Sequence, residues 1–218
     1  MLASSRRLRR PHSALPQART LLIVCAAVLA GALPALPLYA AKPDDPDYRA
    51  FYSKGTSFAD FLERARARRD EWRQRYNDAT VTPDLVTRMR ALPERRLILA
   101  VAEDWCSDSA NSLPYVARLV DGAPERLALR IINSTAGRAV MEANPTPDGR
   151  AATPTIVVLR EDGGVLGAWV ERPSTAQTWF LEQRKTVAHD PLHEHLMKWY
   201  AEDAGRTTMS EIAALLER

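Results

Sequence analysis

The stretch "RLILAVAEDWCSDSANSLPYVARLV", residues 96–120, joins two patterns of different period. It begins with a continuous apolar run over 97–102, which is typical of a strand buried on both faces. Apolar residues then recur three and four positions apart, at Leu113, Val116, Ala117 and Val120, which predicts an amphipathic helix. Cys106 lies at the junction. The segment therefore predicts a buried strand leading into a helix, with a thiol at the helix start.

The same alternation of patterns continues towards the C-terminus. Apolar runs predict strands over 127–134, 153–161 and 164–171, and "DGG" predicts a tight hairpin between the last two. Helical spacing is found over 135–144, 174–186, 190–203 and 207–217. The order β-α-β-α-β-β-α over 97–187 predicts an α/β fold. We expect a four-stranded mixed sheet, with one parallel pair and one antiparallel hairpin, and helices on both faces.

Helices are also expected to extend this core, about residues 95–187, at both ends. Apolar residues at helical spacing over 57–79 predict one long amphipathic helix. A second helix is predicted over 82–92, where Pro83 fits the first turn. At the other end, Asp190 is expected to cap the helix over 190–203.

The first 41 residues have the composition of an export segment. Five arginines precede an uncharged apolar run over 21–41 that ends in small residues, which predicts a secretory signal peptide. The run is also close to the roughly 20 residues of a membrane anchor. In either case we expect the protein outside the cytoplasm: in the periplasm, secreted, or anchored to the membrane facing outwards. Residues 42–56 are predicted as a linker and 57–218 as one domain.

The formal charge of the chain is set by its N-terminus. The sequence has 30 basic and 27 acidic residues, a net charge of +3. Five of the arginines and no acidic residue precede residue 42, so the remainder has 25 basic and 27 acidic residues, a net charge of −2. The basic excess therefore does not indicate a nucleic-acid partner, and we expect none.

Cys106 is the single cysteine that remains after the export segment, because the other is Cys25. It is either buried and inert, bonded to another molecule, or a reactive thiol. The start of a helix favours the thiolate, which is the reactive form, whereas a carboxylate at Asp108 disfavours a second negative charge. Ser109 is expected to donate its hydroxyl to the sulfur. The position favours a reactive thiol, modulated by Asp108.

Two segments together resemble the thioredoxin superfamily: "EDWCSDS" after a buried strand, and "ATPTIVVL" at residues 152–159. Arg172–Pro173 and "KWYAEDAGRTT" at 198–208 are similar to a bacterial thioredoxin-like group with a Trp-Cys-x-Asp motif. The resemblance covers about residues 57–218. It implies a thioredoxin-like sheet with helical extensions at both ends.

The resemblance also implies roles for individual residues. Cys106 corresponds to the attacking cysteine, and Trp105 to the aromatic residue beside it. Thr153 and Pro154 correspond to a cis-proline segment that lies against the thiol and pairs with the substrate backbone. Trp105, Thr153 and Pro154 are therefore the expected substrate-binding residues.

The sequence departs from ordinary thioredoxins in the second half of the motif. Ser109 stands where the resolving cysteine is expected, and Ala100 where a proton-accepting aspartate is buried. A serine cannot clear a mixed disulfide. We therefore expect a monothiol Cys-x-x-Ser protein that performs thiol–disulfide exchange through Cys106, without a cofactor. Its partner would be a cysteine-containing protein or a small thiol such as glutathione.

The alternative is a binding module or scaffold that uses the fold without turnover. A peroxidase-like thiol fits the motif less well. Other polar residues have simpler interpretations. Glu103 and Asp104 are expected to be loop residues rather than an acid–base pair. His189, His193 and His195 are expected at the surface rather than at a metal, since two of them face different sides of a helix.

Overall fold

The computed structural model describes residues 45–218, so the predicted export segment lies outside the described residues. The sheet consists of β1 (Arg96–Val101), β2 (Leu127–Ile132), β3 (Thr155–Arg160) and β4 (Val165–Val170). The helices are α1 (Tyr48–Lys54), α2 (Phe58–Arg64), α3 (Arg69–Asp78), α4 (Pro83–Arg90), α5 (Ser107–Gly122), α6 (Arg138–Ala143), α7 (Ser174–Gln183), α8 (His189–Asp203) and α9 (Arg206–Leu216).

The strands form the predicted mixed sheet in the order β2-β1-β3-β4. β1 pairs with β2 in parallel, and β3 pairs antiparallel with both β1 and β4. Leu99 lies between Arg130 on one side and Val157 on the other, so β1 is a central strand. All six residues of β1 are buried, as its continuous apolar run predicts.

Helices cover both faces of the sheet, which confirms the predicted layers. On one face, Ile98 and Ala100 of β1 join a large apolar core with side chains of α3, α4, α5 and α9. On the other face, alternate residues such as Leu97 and Leu99 pack with α1 and α6. Successive side chains of a strand point to opposite faces, so one apolar strand supports two cores.

The long helix predicted over 57–79 is interrupted. α2 ends at Arg64 and α3 begins at Arg69, with Arg68 in the left-handed region at φ 51°. The exposed amides at the break are satisfied by Asp104, whose Oδ2 accepts from the N–H groups of Arg66 (2.7 Å) and Ala67 (3.1 Å). Apolar spacing continues through the break, so the sequence pattern does not reveal this tertiary contact.

The linker predicted over 42–56 is wrong from Tyr48 onwards. α1 occupies seven of the nine residues from Tyr48 to Thr56, and the buried Tyr48 hydroxyl accepts a hydrogen bond from the Asn144 amide at 3.0 Å. Thr56 then pairs with Ile131 through two backbone hydrogen bonds of 2.9 Å. This pairing covers part of the outer edge of β2, which would otherwise expose unpaired backbone groups.

The C-terminal helices follow the prediction with one local difference. Ala188 is the residue at the N-cap of α8, and Asp190 lies in the first turn instead of capping it. A carboxylate in the first turn still faces the positive end of the helix dipole. Among residues 45–218, no helix has both the length and the apolar content required to cross a bilayer.

The turn between α8 and α9 allows a test of how the extension packs. Gly205 has φ +72°, and a Cβ at this position would overlap the ring of Tyr115 on α5. We expect Gly205→Ala to lower the free energy of unfolding by about 2–4 kcal/mol, from backbone strain and overpacking together. Urea denaturation measures this change.

The matched control is Ala204→Gly at the adjacent position. Ala204 is exposed and also has positive φ, at 48°. We expect its free energy of unfolding to stay within about 1 kcal/mol of the wild type. Equal losses in the free energy of unfolding in Gly205→Ala and Ala204→Gly would contradict tight packing of Gly205 on Tyr115.

Candidate active site

Cys106 is the N-cap residue of α5 and lies five positions after Val101, the last residue of β1. Its Sγ accepts a contact from the Ser109 backbone N–H at 3.5 Å and donates to the Thr153 carbonyl oxygen at 3.3 Å. The residue is 9% exposed. The sulfur is therefore held between the first turn of a helix, whose amides carry a partial positive charge, and the segment before β3.

The segment that faces the sulfur has the conformation that the resemblance implies. The Thr153–Pro154 peptide bond is cis. The Pro154 carbonyl accepts a hydrogen bond of 2.7 Å from the Glu171 backbone N–H, just beyond the end of β4. This contact anchors the cis-proline segment to the edge strand and leaves the Thr153 carbonyl directed at Cys106.

Ser109 contacts the sulfur through its backbone, and the predicted donation by its hydroxyl is wrong. The Ser109 side chain is fully buried, and its Oγ has no hydrogen-bond partner within the part of the chain that the structure describes. The helix turn instead directs the Ser109 N–H towards Cys106 Sγ. The position of Ser109 is right for contact, but its backbone N–H makes the contact and its hydroxyl does not.

Asp108 is buried and paired, rather than a free charge beside the thiol. Its carboxylate accepts from Arg172 Nε (3.2 Å) and Nη2 (2.9 Å) and from the Tyr200 hydroxyl (2.8 Å). Burial raises the pKa of the Asp108 carboxyl, and the Arg172 charge and the Tyr200 hydrogen bond oppose that rise. The negative charge that was expected to modulate Cys106 is thus countered by Arg172.

Sequence reasoning did not assign Arg172 and Tyr200 to the site. Both lie within segments that the sequence analysis noted only for their resemblance to a bacterial thioredoxin-like group, and they are 64 and 92 positions from Asp108. The sequence offers two signals: for Arg172, a charged residue just after a strand, and for Tyr200, a tyrosine in an apolar helix face. Neither signal identifies Asp108 as the partner, because that pairing depends on how α8 packs.

An open groove of about 350 Å³ runs past Cys106. Its walls include Trp105 on one side and Arg150, Thr153 and Glu171 on the other. Trp105 is 61% exposed, and its carbonyl accepts from Arg68 Nε at 3.0 Å. Clefts of similar or larger volume lie elsewhere, up to about 500 Å³ between β4 and α7, but they do not contain the thiol.

The neighbouring carboxylates have structural partners. Glu103 Oε1 accepts from the backbone N–H and hydroxyl of Ser134, and Asp104 holds the break before α3. The Asp104 carbonyl also accepts from Trp72 Nε1 at 3.0 Å. These contacts fix the loop between β1 and α5, which orients Trp105 and Cys106.

His189, His193 and His195 all lie on α8. His195 stacks on Trp179, with ring centroids 4.6 Å apart, and His189 stacks on His193 at 5.9 Å. Across residues 45–218, no three His, Cys, Asp or Glu side chains are grouped closely enough to hold a metal ion.

A mixed sheet with a cysteine at the start of the helix after a central strand, facing a cis-proline, defines a thioredoxin-fold protein. A thioredoxin family model matches residues 55–188, more than half of the chain, and the chain belongs to that family. No curated protein is significantly similar to it in sequence.

Two solved structures are similar in fold. One is a protein of unknown function from Pseudomonas aeruginosa, 21% identical, with a TM-score of 0.61 over 78% of this chain and 96% of the other. The second is an HIV epitope-scaffold, 22% identical, with a TM-score of 0.59 over 78% and 97%. At these identities the similarity shows the fold alone.

Burial of Tyr200 beside Asp108 predicts a loss of stability at alkaline pH. Burial and the neighbouring carboxylate raise the pKa of Tyr200 well above its usual value near 10. The unfolded chain therefore loses this proton before the folded chain does, and stability falls as the pH rises above 10. We expect the free energy of unfolding of the wild type to fall more steeply than that of Tyr200→Phe, by up to about 1.4 kcal/mol per pH unit.

Urea denaturation at intervals between pH 9 and pH 12 measures both slopes. If the free energy of unfolding falls with the same slope in the wild type and in Tyr200→Phe, the Tyr200 hydroxyl ionises equally easily in the folded and unfolded chains, and the prediction is wrong.

Proposed function

We propose that this chain is an exported protein that performs thiol–disulfide exchange through Cys106 as a single nucleophile. The observation that carries the proposal is the placement of Cys106 Sγ between the Ser109 N–H at 3.5 Å and the Thr153 carbonyl at 3.3 Å, beside an open groove. The amide stabilises a thiolate, and the groove gives a disulfide access to it.

The chemical step is attack of the Cys106 thiolate on one sulfur of a partner disulfide. A new S–S bond forms between Cys106 and that sulfur as the partner's own S–S bond breaks. The second partner sulfur leaves with the bonding electron pair and takes up a proton as a thiol. Cys106 gives up its own proton to solvent in the groove before the attack.

Release of the mixed disulfide requires a thiol from outside this chain, because the hydroxyl of Ser109 cannot form a disulfide. A small thiol such as glutathione can attack the mixed disulfide, which regenerates the Cys106 thiol and leaves the partner in a disulfide with the small thiol. Alternatively, another cysteine of the partner attacks. In that case the partner's disulfide is rearranged without net oxidation or reduction.

The groove supports a polypeptide partner. Trp105 offers an exposed apolar ring beside the thiol, and the backbone before Pro154 runs along the opposite wall. An extended cysteine-containing segment lying between them would bring its sulfur to Cys106 and its backbone to Thr153.

A non-catalytic binding module is the second candidate. Two observations favour it: Cys106 is only 9% exposed, and the position of a resolving thiol holds a fully buried serine. In that case the exposed Trp105 would serve partner binding alone. Cys106→Ala separates the two candidates, since it abolishes exchange but leaves partner binding by a module intact.

Exchange can be measured with hydroxyethyl disulfide, a small neutral probe. We expect the wild type to accumulate one mixed disulfide, located at Cys106 by peptide mapping and mass spectrometry, and to release it on addition of glutathione. Cys106→Ser removes the sulfur and should give no adduct at this position. A folded wild-type protein that forms no adduct with excess probe would reject the exchange function.

A matched variant tests the monothiol mechanism. Ser109→Cys places a thiol three residues after Cys106, where the helix turn already brings the backbone to the sulfur. We expect this variant not to accumulate the adduct, because its second thiol attacks the mixed disulfide within the same molecule. Equal accumulation in the wild type and in Ser109→Cys would argue against resolution from this position.

Export is tested separately, by fractionating a Gram-negative host that expresses the full chain. We expect the protein in the periplasmic or membrane fraction, and deletion of residues 1–41 should retain it in the cytosol. The mass of the recovered chain tells a cleaved signal peptide from an anchor. Recovery of the full chain from the cytosol would refute export.

A further inference from the structure

A group of polar side chains, most of them buried, connects the two segments that meet at the sulfur. It comprises Asp108 of α5, Glu171 and Arg172 directly after β4, Gln177 of α7, Tyr200 of α8, and Arg150 in the loop before β3; we term it the Asp108 network. Asp108, Arg172 and Tyr200 are each at most 9% exposed. These three residues are therefore buried, whereas the exposed Arg150 lies at the wall of the groove beside Cys106.

Arg172 holds the Cys106 side of the site. Its guanidinium makes a two-pronged contact with Asp108 in the first turn of α5, at 3.2 and 2.9 Å. It also donates to Gln177 Oε1 at 3.1 Å and lies 4.0 Å from the centre of the Phe180 ring. Tyr200 adds a third donor to Asp108, so helix α8 takes part in fixing the turn that carries the thiol.

Glu171, the preceding residue, holds the cis-proline side. Its N–H donates to the Pro154 carbonyl at 2.7 Å, and its carboxylate accepts from Arg150 at 3.1 and 2.8 Å. Its backbone is in the left-handed region at φ 67°, which is unfavourable for a residue with a Cβ. This conformation directs the Glu171 N–H to Pro154 and the Arg172 guanidinium to Asp108.

The ion pairs of the network are better suited to fixing the geometry of the site than to raising the stability of the fold. Two carboxylates, Asp108 and Glu171, face two guanidinium groups, Arg150 and Arg172. Removing such charges from water is costly, and apolar residues of similar volume often give equal or greater stability. What the paired contacts do provide is a fixed geometry between the segments that they join.

We propose that the Asp108 network positions Cys106 against the Thr153–Pro154 segment, so that helix α8 of the C-terminal extension is a working part of the exchange site. Arg172, Glu171 and Tyr200 are positioning residues, since they act through Asp108 and Pro154 and do not contact the sulfur. This inference rests on the proposed exchange function.

The test compares Tyr200→Phe and Arg172→Lys with the wild type. Tyr200→Phe removes one hydrogen bond to Asp108 and keeps the packing, whereas Arg172→Lys keeps the charge and loses the two-pronged contact. Tyr115→Phe is the matched control, because it removes the hydroxyl of another buried tyrosine two helical turns from Asp108 on α5. Thermal melting confirms that each protein is folded at the assay temperature.

Two rates are measured for Cys106: mixed-disulfide formation with hydroxyethyl disulfide, and alkylation by iodoacetamide. We expect both to fall about tenfold in Tyr200→Phe and at least as far in Arg172→Lys, the effect of losing one hydrogen bond to a charged group. Tyr115→Phe should stay within about twofold of the wild type at a comparable melting temperature. If Arg172→Lys fails to fold, Tyr200→Phe alone decides the comparison.

The outcomes separate this inference from the proposed function. Rates in Tyr200→Phe equal to those in Tyr115→Phe would overturn the positioning role while leaving exchange intact. A wild type that is alkylated but forms no mixed disulfide would reject the exchange function, and the alkylation rates would still decide whether the network positions the thiol. A wild-type Cys106 that resists both reagents would overturn both.

Discussion

The ion pair between Asp108 and Arg172 is the contact through which the thiol helix, the edge strand and the C-terminal extension meet. Asp108 lies two residues after Cys106, Arg172 follows β4, and Tyr200 brings α8 to the same carboxylate. Loss of one member would leave a charge buried without its partner, which costs far more than the intact pair contributes. The position of Cys106 is therefore coupled to elements that are distant in sequence, and α8, which follows the thioredoxin-like core, contributes Tyr200 to the contacts behind the site.

The same pair changes the electrostatics expected from the sequence. A carboxylate two residues from a thiol would normally oppose ionisation of the sulfur. Here Arg172 counters that charge, and the Tyr200 hydroxyl takes another lone pair of the carboxylate. The groups that contact Cys106 Sγ are instead the Thr153 carbonyl at 3.3 Å and the Ser109 N–H at 3.5 Å. Backbone dipoles thus set the local environment of the sulfur. Substituting a side chain of the motif does not directly remove them.

The sequence was sufficient to predict the features that depend on local patterns of residues. The apolar run of β1, the periodicity of α5 and the "DGG" turn predict the order of elements, and with the motif they place Cys106 opposite Thr153 and Pro154. Features decided by tertiary contacts were missed. The break at 65–68 depends on Asp104 satisfying two amides, and α1 depends on Tyr48 reaching Asn144. The contact made by Ser109 was also missed, because a helix turn brings its N–H to the sulfur while its hydroxyl is buried without a hydrogen-bond partner among the described residues.

The monothiol proposal is consistent with where protons can go in this site. Ala100 is fully buried in β1 and has no group that could accept a proton, and Asp108 is occupied by Arg172 and Tyr200. Within residues 45–218, the Thr153 carbonyl is the acceptor that Cys106 Sγ contacts, and a carbonyl does not take up a proton. Deprotonation of Cys106 thus requires solvent in the groove, and release of the mixed disulfide requires a thiol from another molecule. Both steps depend on access to the sulfur through the groove beside Trp105. The rate of the proposed cycle would therefore depend on what binds in that groove.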